Sequence, residues 1–540
     1  MTGYNLLNEP WIPCETSDGA ILLGIRAALA DAHTIREIRT SSPLATVALH
    51  RLLLAILHRV FGPRNLDAWC DLWNRGQWDV DALSAYFTIW EQRFDLLDPS
   101  KPFYQVPPLI QGKDALKKSS PAARLAQEHA TGNNATLFDH QVDGDPVPLS
   151  LPVATQQLLA TQMFAIGFGK SQPFYLKDAS LTRGYSVLCV GHSLFETLAL
   201  NLVPYNAQRP IPHLSDSDRP AWEEETPREP SETGTTARGY LDYLTWQSRR
   251  VHLISSNSAS EITHCQIQQN FFLAVDVTDP FRCYRFNEAT GRSVVGFNAE
   301  RSLWRDAQVL FHRQYYSTRD KRITTTRPQL FEHLVRVDQR RQDGMVKTLP
   351  VYRIDAFGFA TEDGRAAQIT FWRHEKLPLP LVYLDDASLL ATMDSAIKYA
   401  EQVGNALRSA TRRFVEEAFP SLPESRGKRD ENPHVRALGP GRRYWPALDT
   451  AFAAFLVAQA EEHAASGATG QISVGPAFRA WADAARQAAV IDFRTIVGSQ
   501  DATTRVLRAR VVAEQVFYGA LKRARDAAGV TAEEEANDDA

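Results

Sequence analysis

Apolar residues recur at helical spacing over residues 45–61 (ATVALHRLLLAILHRVF), where Val47, Leu52, Leu54, Ile56 and Val60 build an apolar body edged by His and Arg. Ser42 and Pro43 supply a helix start, and Gly62 with Pro63 supply the stop. Shorter aromatic and β-branched runs, FFLAVDV at 271–277 and AQITFW at 367–372, predict strands. Such runs alternate with helices at irregular intervals, which predicts a large mixed α/β domain over residues 1–380.

Beyond Pro380 the pattern turns helical throughout. Met393, Ile397, Ala400, Leu407 and Phe414 keep heptad-compatible spacing, as do Trp445, Leu448, Phe452 and Phe455. Phe478, Trp481 and Ala485 open a third amphipathic run, and Val506 to Leu521 form a fourth. Glycine-containing breaks at 421–441, 466–476 and 498–499 separate them. The pattern predicts a C-terminal four-helix bundle over 381–530 and an acidic tail over 531–540. The expected fold class is α+β. Two stretches read as long connecting loops: 130–148, rich in Gly, Asn and Asp, and 206–239, with five prolines and acidic residues at 223–225. The second is expected to be mostly a solvated insertion.

Composition narrows the function classes. The 540 residues carry 59 Lys+Arg against 63 Asp+Glu, so a basic coat over the whole protein is excluded but a local basic surface is not. Residues 387–526 hold 19 basic against 15 acidic side chains. Arg408, Arg412 and Arg413 lie within two turns, and Arg505 and Arg508 share a helix face, as nucleic-acid contacts or as a solvated helix face. Five scattered cysteines without a CxxC argue against a disulfide framework or zinc knuckle and fit a reducing cytoplasm. The N-terminus lacks a signal-peptide pattern, and no apolar run approaches the roughly 18 residues of a membrane span. A cytoplasmic protein without a membrane partner is expected.

Enzyme motifs fail on inspection. Gly169-Lys170-Ser171 ends like a P-loop, but Phe164 stands where the first glycine is needed. Gly191-His192-Ser193 begins like a nucleophile elbow, then places Phe195 where glycine must allow the turn. His374-Glu375 meets Pro378 at the second zincin histidine position. No cofactor or metal is expected. What remains is loop chemistry: two glycines, an aromatic and a lysine in 166–171, where glycine admits close backbone approach and lysine neutralises a phosphate.

Several motifs together resemble one family. Asn5-Leu6-Leu7-Asn8-Glu9-Pro10-Trp11-Ile12-Pro13, the run HRLLLAI at 50–56, Lys101-Pro102-Phe103-Tyr104-Gln105, and Leu244-Thr245-Trp246-Gln247 leading into Arg249-Arg250-Val251 resemble the large subunit (CasA) of the type I-E CRISPR surveillance complex Cascade. The order of features, mixed α/β domain then helical bundle, is similar over nearly the whole chain.

The resemblance implies a non-catalytic subunit in antiviral defence. Its partners would be the CRISPR RNA 5′ handle, target double-stranded DNA with a protospacer-adjacent motif (PAM), other Cascade subunits and a helicase–nuclease effector. Guide pairing reads the target while protein reads duplex shape and the short motif, here from the minor groove, where base edges are degenerate. By the same resemblance, Thr131, Asn134 and Phe138 correspond to a loop near the RNA handle. Gly167, Phe168, Gly169 and Lys170 correspond to a glycine loop at the PAM backbone. Arg365, Ala367 and Gln368 fall in a turn that parts the first base pairs, and Arg408 and Arg412 are candidate DNA contacts on the bundle. Relatives place a minor-groove lysine in the segment matching 255–269, whereas no lysine stands between Lys177 and Lys321 here. His264, Gln266, Gln268 and Asn257 are the substitute donors. Two other readings stand: a metal-dependent nuclease or hydrolase with a dispersed site around Asp98, His140 and Glu362, and a protein-binding scaffold.

Overall fold

In a computed structural model, residues 3–112, 115–126, 147–167, 177–204, 217–226, 228–230, 233–273, 277–298, 300–316, 323–362, 365–420, 432–466 and 474–530 are described. The chain divides into two units, 1–299 with 314–376, and 300–313 with 377–540.

The first unit is organised on the helix Pro43–Val60, capped by Ser42, whose hydroxyl accepts from the Ala45 amide. Leu44 through His58 are buried without interruption. Its length and apolar composition match those of a membrane span, yet it serves as a core helix packed inside the unit. Buried Arg51 on this helix donates to Asp279 at 2.7 Å, and the Tyr243 hydroxyl donates to the same carboxylate at 2.9 Å. A second buried helix, Leu151–Phe164, packs against it.

Four small sheets surround these helices. Ile12–Thr16 sits between Gly19–Leu23 and Glu37–Ile38. Val351–Glu362 lies between Tyr185–Val190 and Arg365–Pro380, with Arg353 opposite Val190 and Gly358 opposite Tyr185. Tyr284–Asn287 pairs with Gly291–Val294 and Ile323–Thr326, the last also with Gln314–Tyr316. The fourth sheet is built on the hairpin Arg249–Ser255 and Glu261–Gln269.

Two expectations are corrected here. Around Trp222 and Glu223 the stretch 206–239 is docked, not solvated. Trp222 is buried 5.3 Å from the Phe94 ring, and Glu223 accepts from Arg59 Nε and Nη2 at 2.8 and 2.9 Å and from the Tyr86 hydroxyl at 2.7 Å. Buried Glu223 needs a cation, and Arg59 at the end of the apolar helix supplies it. The strand expected at 271–277 is also absent from its described residues. Phe271 packs edge-on to Trp246 at 4.7 Å, and Leu273 makes a single bridge to Thr235. The aromatic run answers a packing need rather than a pleat.

The second unit contains Ala387–Ala418, Asp449–Ser466, Pro476–Gly498 and Thr504–Ala527, with two short helices, Pro433–Leu438 and Tyr444–Ala447. Met393, Ile397, Ala400, Leu407, Phe414, Phe452, Phe455, Phe478, Trp481 and Ala485 are all buried, as their spacing predicts. The expectation of a continuous 1–380 domain is corrected by 300–313, which folds into this unit. Trp304 stacks on Phe452 at 4.8 Å, meets Trp481 edge-on at 5.5 Å and donates to Asp449 at 2.7 Å. Arg305 donates to Glu401 at 2.8 and 3.0 Å. All five cysteines are free and buried.

Candidate nucleic-acid interface

The roots of the glycine segment are held by one side chain. Arg249, 2% exposed, sends Nη2 to the carbonyls of Ala165 and Ile166, both at 3.2 Å, and of Lys177 at 2.6 Å. Its Nη1 donates to the Ser248 carbonyl at 3.1 Å. The two ends of 168–176 are thus tied to a single guanidinium. Burial pushes Arg249 down to about 10 against a smaller upward pull from Asp178, so it stays charged at neutral pH. Asp178 accepts from the Gly167 amide at 2.7 Å and pairs with Arg183 at 2.7 Å. Gln269 accepts from the Lys177 amide at 2.7 Å, and the Ala179 amide donates to Ala165 at 2.8 Å. Five planar donors make arginine the side chain able to collect several carbonyls at once. Of the expected glycine-loop residues, Gly167 stands at this clamp, while Phe168, Gly169 and Lys170 lie outside the described residues.

The roots of 127–146 reach the same hairpin. Ser120–Pro121 pairs with Cys265 and His264, and Leu149–Ser150 pairs with Ile262 and Glu261. Thr161 on the buried helix donates to the Leu125 carbonyl at 3.1 Å. At about 3.3 Å per residue, these anchors sit roughly 13–26 Å along the strand from the Arg249 clamp. Thr131, Asn134 and Phe138 lie outside the described residues, as does His140.

The segment 255–269, expected as a loop, is largely the hairpin itself. Only 256–260 form its tip, where Asn257 and Ser258 are exposed and Ala259 takes a left-handed φ of 53°. Gln266 is excluded as a DNA donor. Its oxygen accepts from the Leu109 and Ile110 amides at 2.8 and 3.0 Å, and its nitrogen donates to Ile110 and Ser119. His264 and Gln268 are half-buried in the strand, so Asn257 is the candidate donor at the tip.

The expected turn at 365–368 is corrected as well. Arg365, Ala367 and Gln368 already belong to the strand Arg365–Pro380, so the connection from Val351–Glu362 is confined to 363 and 364. The aromatic and β-branched run from Ile369 to Trp372 extends its strand back through these residues to Arg365. On the bundle, Arg408 and Arg412 are exposed on Ala387–Ala418 and form no ion pair among the described residues, while Arg413 pairs with Glu417. Arg505 and Arg508 are exposed on Thr504–Ala527, which packs against that helix. Asp98 caps a turn by accepting from the Ser100 and Lys101 amides, and Ser193 caps the helix Leu194–Asn201. Among the described residues no cluster of His, Cys, Asp and Glu is arranged to hold a metal ion.

Sequence reasoning missed Arg249 and Asp178 as positioning residues. Arg249 stood in a matching motif, but nothing local marks an arginine that binds carbonyls more than 70 residues away.

Comparison with known proteins places this geometry. The family model of CRISPR-associated protein Cse1 matches residues 5–491. CRISPR-associated protein CasA/Cse1 of Thermus thermophilus is 30% identical over 492 residues, covering 88% of this chain and 91% of that protein. The crystal structure of Thermobifida fusca Cse1 superposes with a TM-score of 0.81 at 23% identity, over 98% of this chain and 99% of that one. A chain of a CRISPR RNA-guided surveillance complex superposes with a TM-score of 0.71 at 23% identity, over 96% and 100%. With the motifs, the two-unit fold and a match running through both units in agreement, the chain belongs to the CRISPR-associated Cse1 (CasA) family.

Proposed function

We propose that this chain is the non-catalytic large subunit of a CRISPR RNA-guided surveillance complex. In this reading it binds the 5′ handle of the CRISPR RNA, recognises the PAM of duplex DNA from the minor groove, helps open the target and recruits a helicase–nuclease for antiviral defence in the cytoplasm. The observation that carries the reading is the convergence of three segments on one hairpin. The roots of 127–146, the roots of 168–176 and the tip 256–260 share Arg249–Ser255 and Glu261–Gln269 as their post. Backbone approach and phosphate contacts need such fixed roots, because positioning contacts set register before any base edge is read. The bundle cations Arg408 and Arg412 add sequence-independent attraction to the phosphates.

Gly169→Asp in the assembled complex tests this. It is expected to weaken PAM-containing duplex much more than a target already opened beside the PAM. Equal affinity of variant and parent for both substrates would overturn the glycine-loop assignment. DNA cleavage by the purified chain with Mg²⁺ or Mn²⁺, abolished by a point substitution in it, would overturn the non-catalytic reading.

A further inference from the structure

One face of the sheet formed by Tyr185–Val190, Val351–Glu362 and Arg365–Pro380 encloses a cavity of about 280 Å³ with the start of the core helix and the strand Glu37–Ile38. It adjoins a second cavity of about 400 Å³ through Glu37, Arg39, Val190 and Arg353. Neither takes part in the loop anchoring described above.

Most charges in this cleft are already satisfied. Arg353 donates to Asp355 at 2.5 Å and to Glu37 at 2.8 Å. His374 lies 2.6 Å from Asp355 and stacks on the Phe357 ring at 4.3 Å. Burial alone would raise Asp355, but the hydrogen bonds and charges of His374 and Arg353 hold it below the usual carboxylate range. Its charge is therefore spent on its neighbours. What the cleft offers a ligand is Lys376, exposed and in no ion pair among the described residues, and Trp372, 44% exposed at the rim. Trp372, His374 and Lys376 occupy alternate positions on one strand, so they form a row with about 6.6 Å between neighbours. The opposite face differs, with Arg373 over the Phe371 ring and paired to Glu375.

The inner wall carries one more polar group. His50, 5% exposed, bonds through Nδ1 to the Thr46 carbonyl at 2.8 Å. A carbonyl only accepts, so Nδ1 carries the proton. Burial holds the ring below its ordinary pKa, which leaves Nε2 as a lone-pair acceptor in a residue that lines the cavity.

We propose that this cleft binds one nucleotide of a single-stranded nucleic acid, with the base stacked on Trp372, its amino edge toward His50, and phosphate at Lys376. An exposed indole beside an exposed ammonium suits a base joined to a phosphate, since stacking tolerates any base and the cation follows the backbone. The acceptor on the inner wall favours bases that carry an exocyclic amine. The assignment is independent of PAM recognition.

The test uses the purified full-length chain and labelled single-stranded oligo-dA, oligo-dC and oligo-dT in fluorescence anisotropy. Oligo-dA and oligo-dC are expected to bind more tightly than oligo-dT, and Trp372→Ala to weaken them about tenfold, as for loss of one stacked base. Lys376→Gln is expected to lower the slope of log affinity against log salt by about 0.7. Both side chains are exposed, so the variants are expected to retain the parent's melting temperature. Gly169→Asp is expected to leave single-strand binding intact while impairing duplex recognition, so failure of one reading is separable from failure of the other. Parent-like affinity and salt slope in both variants would overturn the proposal. So would displacement of the oligonucleotides by an acidic peptide at similar concentration, which would assign the cleft to a protein partner. Equal affinity for oligo-dT and oligo-dA would overturn the inward orientation of the base.

Discussion

In the N-terminal unit arginines recur as fasteners. Arg51 meets Asp279, Arg59 meets Glu223, and Arg249 gathers the carbonyls of Ala165, Ile166, Lys177 and Ser248. In the helical unit the inside is built mainly from Met393, Leu407, Phe414, Phe452, Phe455, Trp481 and their neighbours; Arg305 of the inserted 300–313 is fastened to Glu401, and a buried carboxylate, Asp492, accepts from the Gly441 amide at 2.9 Å. The difference follows from backbone accounting. Long helices satisfy their own amides and carbonyls, so a bundle core can be apolar. A unit threaded by loops leaves carbonyls inward, and a planar guanidinium with five donors can serve more of them than a lysine ammonium with three. One unit is assembled from faces, the other from joints.

That contrast can be broken most sharply at the joints. Arg51→Ala leaves Asp279 buried without its cation and is expected to destabilise the first unit by about 3–5 kcal/mol in urea unfolding. A loss below about 1 kcal/mol would remove this pair from the framework. Arg249→Ala strips donors from the carbonyls of Ala165, Ile166 and Lys177, with an expected cost of about 2–4 kcal/mol. Hydrogen exchange should then rise at Gly167 and Lys177 before the rest of the unit, and uniform exchange would deny the clamp a local role. In the bundle, Asp492→Ala frees the Gly441 amide and is expected to cost about 1–2 kcal/mol.

A smaller effect separates His50 from its surroundings. Its pKa is lowered in the fold, so the unfolded chain takes up the proton first as pH falls. Stability is therefore expected to decline from about pH 6.5 downward, and His50→Phe should flatten that part of the profile. An unchanged profile would place the acid sensitivity elsewhere. Asp355 acts lower. Its depressed pKa contributes stability above the ordinary carboxylate range, and this is lost as pH falls through the folded value. Smallest of all, Arg408→Gln with Arg412→Gln should change stability by less than about 0.5 kcal/mol. The same pair should reduce the salt slope of duplex binding by about 0.9 for each phosphate that is no longer neutralised.

The same contrast decides what a reader of the sequence can see. The helix Pro43–Val60 shows its start in Ser42-Pro43, and the bundle helices show their buried faces in spacing alone, because both signals are local. The segment 300–313 shows nothing comparable. Trp304 belongs with the bundle because Phe452 and Trp481 lie far ahead in the chain, and no periodicity spans that gap. Residues 365–368 misled for the opposite reason, since glycine beside charged residues resembles a broad turn until pairing with Val351–Glu362 extends the strand through them. Of the interface, Gly167 was visible as a glycine turn, but Arg249 and Asp178 acquire meaning only when the fold brings them to the carbonyls and amide of its flanking residues.

The buried cysteines have a practical consequence for watching this protein at work. Burial raises the pKa of Cys14, Cys265 and Cys283 to about 12, and Cys70 and Cys189 are raised for the same reason. Almost no thiolate is present at neutral pH, and maleimide or iodoacetamide dyes react with the thiolate. A single cysteine introduced at exposed Ser258 would therefore be labelled against a nearly silent background, with no native thiol to remove first. A fluorophore there would ride on the hairpin that roots both segments, and a change in its signal on adding PAM-containing duplex would test the proposed interface without removing its candidate donor.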